Sequence, residues 1–143
     1  MENNIFFMPY IGKDYANGGL FGKRTMILGE SHYCDGGCCD CGNCRLYKQC
    51  ANFTQNVLCD FLDESKERQK WMRTFVKFER SLVGEKTDWA LRRKIWDSVM
   101  FYNYLQVAMT GPRKAGTSAQ YKQAANAFFD VINENEPECI IVW

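Results

Sequence analysis

The chain has 143 residues, 46% hydrophobic and 24% charged, which suits one ordinary globular domain with a single core. A formal net charge of +1 excludes a bulk basic field, so nucleic acid could be gripped only through a local patch such as Arg113 with Lys114. No apolar run approaches a membrane span, and the first residues lack the basic flank and apolar core of a secretion signal, so a cytoplasmic protein with no membrane partner is expected.

Residues 1–143 read as one domain without internal repeats. Ile5 to Tyr10 is apolar and aromatic, and Gly12, Gly18, Gly19 and Gly22 then predict a loop-rich entry as far as Lys23. The first strand is expected over Thr25 to Leu28. It runs into Gly29-Glu30-Ser31-His32-Tyr33, which places polar and aromatic side chains at the carboxyl end of a strand, where open α/β sheets bind ligands. His32 is the sole histidine of the chain. It could serve near neutral pH or donate to an anion, and Glu30 could orient a water or stabilise a cation. The plain alternative is a solvated turn.

Six of the eight cysteines fall between Cys34 and Cys50. Cys38, Cys41 and Cys44 step by three and Cys50 follows, a pattern suited to tetrahedral thiolate coordination. Metal binding in a loop over 34–50 is therefore expected. Zinc is favoured over an iron–sulfur cluster because the loop is short and looks structural.

Beyond the loop, Phe53 precedes Thr54, which is expected to cap a helix carrying Val57, Leu58, Phe61 and Leu62 on one face. A second helix is predicted over Lys66 to Leu82, with Gly84 just past its end, and a third from Thr87 or Asp88. Val99 to Leu105 reads as a second buried strand. Within it Asn103 requires partners, either nearby backbone or a nucleobase edge offered at the strand end. Thr110 to Gly116 is a loop, and Thr117 with Gln120 forms a capping box. The next helix is expected to bury Tyr121, Ala124, Ala125, Phe128, Phe129 and Ile132. After Pro137, Cys139 to Trp143 reads as a third buried strand. This order implies an α/β fold with a central parallel sheet covered by helices on both faces, a three-layer α/β/α arrangement.

Placed in this order, the motifs resemble those of the uracil-DNA glycosylase superfamily over about Thr25 to Trp143. Leu28-Gly29-Glu30-Ser31-His32-Tyr33 is similar to its first motif, which reads Gly-Glu-x-Pro-Gly in some families and Gly-Gln-Asp-Pro-Tyr-His in others. The resemblance implies that Glu30 helps activate water, that Tyr33 excludes thymine, that Phe53 stacks on the base and that Asn103 reads its edge. His32 stands where the family has proline, Ser31 replaces the catalytic Asp of the second pattern, and the cysteine spacing differs from that of the iron–sulfur families.

The resemblance also implies a hydrolase acting on DNA with a flipped-out base, with Arg113 and Lys114, beside Pro112, touching phosphates. The alternative is a non-catalytic module of the same fold that binds nucleotide, nucleic acid or protein. The family's last motif would lie beyond Trp143, so the fold is expected to be incomplete at the carboxyl end. The strand edge left exposed there could be covered in a homodimer.

Overall fold

A computed structural model describes residues 4–34, 48–109, 111 and 113–143. Among these residues lie four strands, β1 (Tyr10–Ile11), β2 (Thr25–Gly29), β3 (Val99–Asn103) and β4 (Cys139–Val142), and four α-helices, α1 (Phe53–Leu62), α2 (Met72–Val83), α3 (Trp89–Asp97) and α4 (Ser118–Asn135). The strands form one mixed sheet in the order β1-β3-β2-β4. β2, β3 and β4 run parallel, and the register sets Gly29 beside Asn103 and Leu28 beside Val142.

The expectation of an all-parallel sheet is corrected by β1, which pairs antiparallel with β3 through Tyr10 and Ile11. Glycine punctuation hid this two-residue strand inside a segment that reads as loop.

Strand alternation divides the core between the two faces of the sheet. Ile27, Val99 and Phe101 point to one side and pack with Leu58 and Phe61 of α1, Met72 and Phe75 of α2, and Ile95 and Trp96 of α3. Met26, Met100 and Tyr102 point to the other, against Ile5, Tyr15, and Ala127 and Val131 of α4. The protein is therefore α/β, with helices on both faces of the sheet.

Several predicted elements are displaced. The helix expected from Lys66 starts at Met72, because Arg68 is used to finish α1: its guanidinium donates to Phe61 O at 3.0 Å and Asp63 O at 3.1 Å. Those carbonyls lie at the helix end, where no intrahelical donor reaches them. Thr54 is not a cap. It lies in the first turn of α1, fully buried, while Asn52 occupies the cap position without a side-chain bond. β3 stops at Asn103 rather than Leu105, the following backbone N–H groups turning to Gly29 O and Glu30 O, each at 2.9 Å. α4 buries Ala124, Ala127 and Val131, whereas Phe129 is 58% exposed. Apolar residues at adjacent positions left its inward face ambiguous, and the small alanines sit closest to the sheet. β4 is an edge strand, paired only with β2, so Ile140 and Val142 face outward and the strand is half-buried. The capping box of α4 forms with both reciprocal bonds, and Asp88 Oδ1 caps α3 by accepting from Leu91 N at 2.8 Å.

One ionic cluster joins α2 to α3. The carboxylate of Glu79, fully buried, accepts from Thr87 Oγ1 (2.6 Å), Arg92 Nε (2.8 Å) and Trp96 Nε1 (2.9 Å). The Arg92 guanidinium lies 4.6 Å from the Trp89 ring centroid and 5.0 Å from that of Phe61. Both carboxylate oxygens are thus matched by donors. Replacing Glu79 with Ala strands a buried guanidinium and is expected to cost about 3–5 kcal/mol of folding stability, read from urea denaturation.

Candidate functional site

The backbone segments that leave β2 and β3 run side by side past the sheet. Met109 N donates to His32 O at 2.8 Å, Cys34 N donates to Met109 O at 2.9 Å, and Tyr33 bridges Met109 in parallel. This lacing fixes Gly29 to Tyr33 as one wall of a cavity of about 630 Å³ at the carboxyl ends of the strands. Gln106, which the sequence reading left without a role, secures the back of the wall. Its Oε1 accepts from Phe6 N (2.8 Å) and Phe7 N (3.0 Å), and its Nε2 donates to Tyr102 Oη (2.9 Å).

His32 is buried, not solvated. Burial pushes its pKa down to about 3, so the ring is neutral across the physiological range. Asn103 Nδ2, which can only donate, lies 3.1 Å from His32 Nδ1, and Thr54 Oγ1 lies 2.7 Å from Nε2. The neutral tautomer that satisfies both contacts carries its hydrogen on Nε2. Phe53 stacks on the imidazole with centroids 4.4 Å apart, and Phe7 meets it edge-on at 5.2 Å. A Cβ at residue 29 would collide with Asn103 Oδ1, so glycine is required there for the amide to lie across the end of β2. His32 takes one amide hydrogen of Asn103. The second, together with Oδ1, has no side-chain partner among the described residues, and Asn103 borders the cavity.

Glu30 is exposed at the rim, where the Tyr121 hydroxyl donates to its Oε1. The carboxylate raises the pKa of Tyr121 by holding its proton. Tyr121 is itself placed by the α4 capping box and by a stacked Tyr104, centroids 6.1 Å apart. Arg113 and Lys114 lie along the same cavity, and Arg113 adopts a positive φ of 64°, a conformation that a non-glycine residue adopts at a cost.

The predicted residues Glu30, His32, Tyr33, Phe53, Asn103, Arg113 and Lys114 therefore all border one cavity. Cys50 does not: it is buried beside Phe7 and Ala108, with Cys34 packed on the same cluster. Cys38, Cys41 and Cys44, like Pro112 and Thr110, lie outside the described residues. Among the described residues no group of three or more metal-ligating side chains converges.

Sequence reasoning missed Thr54 as a partner of His32, Tyr121 as a partner of Glu30, and the aromatic wall of Trp71 and Trp143. Thr54 carried a visible signal, a hydroxyl one residue inside a helix start, but it read as a cap. The contacts of Tyr121 and Trp143 span the whole chain and left no local pattern.

The fold and cleft define an α/β domain with a candidate ligand site at the carboxyl ends of its parallel strands. No family model, no curated protein and no solved structure matches the chain. Among the described residues no helix is long and apolar enough to cross a membrane.

Because His32 is the sole histidine, its imidazole nitrogens can be read directly by NMR. The expected spectrum is that of the Nε2-protonated neutral ring, with no titration between pH 5 and 8. The folded pKa lies below the unfolded value of about 6.5, so the unfolded chain binds the extra proton between these values. Stability should therefore fall as pH drops from about 6.5 toward 3, by at most about 1.4 kcal/mol per pH unit from this group. The difference in urea midpoints between the native protein and His32→Gln at pH 7 and pH 5 isolates that contribution from the carboxylates.

Proposed function

We propose that the cleft receives a base extruded from DNA and that the protein is a uracil-DNA glycosylase-like hydrolase of the N-glycosidic bond. The observation that carries this reading is the Thr54–His32–Asn103 chain, which aims a half-used amide into a cavity bordered by the Phe53 ring. An amide with one N–H and one carbonyl to offer matches the paired donor and acceptor of a base edge, and the aromatic ring beside it suits a base face. Extrusion is the general route by which enzymes reach a base buried in a duplex.

In this reading the bond between base and sugar breaks with its electron pair leaving on the base, where the Asn103 N–H meets the developing charge. Tyr121 holds one oxygen of Glu30, and the other orients the water that adds to the sugar carbon and accepts its proton, which passes in turn to the departed base anion. His32, neutral and bonded at both nitrogens, positions Asn103 and transfers no proton. This differs from the expectation that it assists water directly. Arg113 and Lys114 meet the phosphates on either side of the extruded nucleotide.

The assay is release of free base from single- and double-stranded DNA containing uracil or hypoxanthine. Release is expected, and Glu30→Gln should slow it roughly 10²–10⁴-fold. A folded protein that releases neither base from either substrate refutes the activity. The sealing of His32, whose pKa burial pushes down to about 3, favours a second reading, a non-catalytic base-binding module. Base binding with no release would select it.

Zinc remains the proposed metal, with an iron–sulfur cluster the alternative, held by Cys38, Cys41, Cys44 and Cys50. The support is the chemistry of the thiolates and the anchoring of Cys50 in an apolar cluster that Phe53 also touches. Its work would be structural, fixing the loop ahead of α1. Elemental analysis should give about one zinc per chain, and a chelator should lower the melting temperature. A protein purified without metal and indifferent to chelator counts against it.

A further inference from the structure

We infer that the cleft takes a fused two-ring base in preference to a lone pyrimidine, and that Trp71, Thr74 and Asp60 form a second subsite for the outer ring. The inference rests on the base-binding reading above and narrows it to a substrate class.

The first observation is length. α1 borders the cavity with Phe53, Val57 and Asp60, spaced four and three residues apart and so on one helical face. At a rise of 1.5 Å per residue, Phe53 and Asp60 stand about 10 Å apart along the cleft. The cavity volume of about 630 Å³ agrees, being several times what a single pyrimidine fills and within the range of sites for drug-sized ligands. A pyrimidine held by Asn103 and Phe53 would occupy one end and leave the other to water.

The second observation is what lies at that other end. Trp71 and Thr74 enter from the start of α2, and Phe75 and Trp143 continue the apolar wall. The half-buried Trp71 ring is braced edge-on against Phe75, with centroids 5.6 Å apart. Trp143 is held by its backbone N–H on Leu28 O at 2.8 Å and by edge-on contact with Phe75 at 5.0 Å. Two fixed indoles border this end, one face of Trp143 being already stacked on Phe78 at 4.6 Å, and their remaining ring surface is what a second ring would cover.

The third observation sets the chemistry of the outer edge. Asp60 accepts from Lys66 Nζ at 2.9 Å through Oδ1, and its Oδ2 has no partner among the described residues. A carboxylate only accepts, so the group that meets it must donate. The ligand that fits the whole cleft is a fused two-ring base bearing an exocyclic amine.

Tryptophan fluorescence, with calorimetry as a second measure, reads the binding of free adenine, purine and uracil to the whole protein. Adenine should bind at least about tenfold more tightly than uracil, with purine between them. Trp71→Ala should remove that preference and leave uracil affinity unchanged, and Asp60→Asn, at a half-exposed position, should bring adenine down to the level of purine. Uracil binding as well as adenine, or either variant weakening uracil as much as adenine, overturns the second subsite and leaves the base-binding reading intact. A folded protein that binds none of the three removes both.

Discussion

A neutral imidazole ties together three parts of the chain that are far apart in sequence. His32 leaves β2, Thr54 belongs to α1 and Asn103 ends β3, and two hydrogen bonds of 2.7 and 3.1 Å join them. The arrangement works only if the ring is uncharged, because one nitrogen must accept while the other donates. Burial supplies that condition by disfavouring the imidazolium. The same burial brings Phe53 and Phe7 against the ring, so the position of the Phe53 side chain follows from that of His32. Gly29 completes the constraint, since only the absence of a Cβ lets the Asn103 amide lie across the strand end.

The frame around this junction is rigid for a different reason. On the α1–α3 face, Phe61, Phe75, Trp96, Phe101 and Trp143 form a continuous run of aromatic contacts with centroids 5.0 to 6.2 Å apart. Large flat rings alone would admit several packings. The Glu79 cluster selects one, because its carboxylate must meet Thr87, Arg92 and Trp96 together. A helix slid by a turn would leave a buried charge unpaired, at a cost far above what repacked rings recover. Since Phe75 and Trp143 also border the cleft, the cluster sets the shape of a site it does not touch.

The central strands, the α3 and α4 caps and the grouping of Glu30, Phe53 and Asn103 at one end of the sheet were legible in the sequence. Each rests on local pattern: an apolar run ending in glycine, Thr87 or Asp88 ahead of an apolar-periodic stretch, Thr117 three before Gln120. What was not legible depended on long-range partners. Arg68 reads as a helix residue until the α1 carbonyls it satisfies are in place. Thr54 reads as a cap until His32 is brought to it, and β1 is too short to show alternation. His32 is the instructive residue: its type suggested a proton carrier, while its environment makes it a spacer. Only burial separates these roles, and a single sequence does not show burial at a turn.

Sealing the imidazole has a chemical consequence. With His32 neutral and bonded at both ring nitrogens, the acidic and basic side chains that border the cleft among the described residues are Glu30, Asp60, Arg113 and Lys114. Burial thereby withholds the imidazole from shuttling a proton. Reactions that need a strong general acid are poorly served by such a set. Reactions in which a leaving group departs as a stabilised anion are better served, because a fixed N–H donor and a carboxylate beside the forming cation suffice. Scission of an N-glycosidic bond is of that second kind, the base leaving with its charge spread over ring nitrogens and carbonyls. In the proposed reading, removing His32 from proton transfer leaves scission of that bond to the Asn103 N–H and the Glu30 carboxylate.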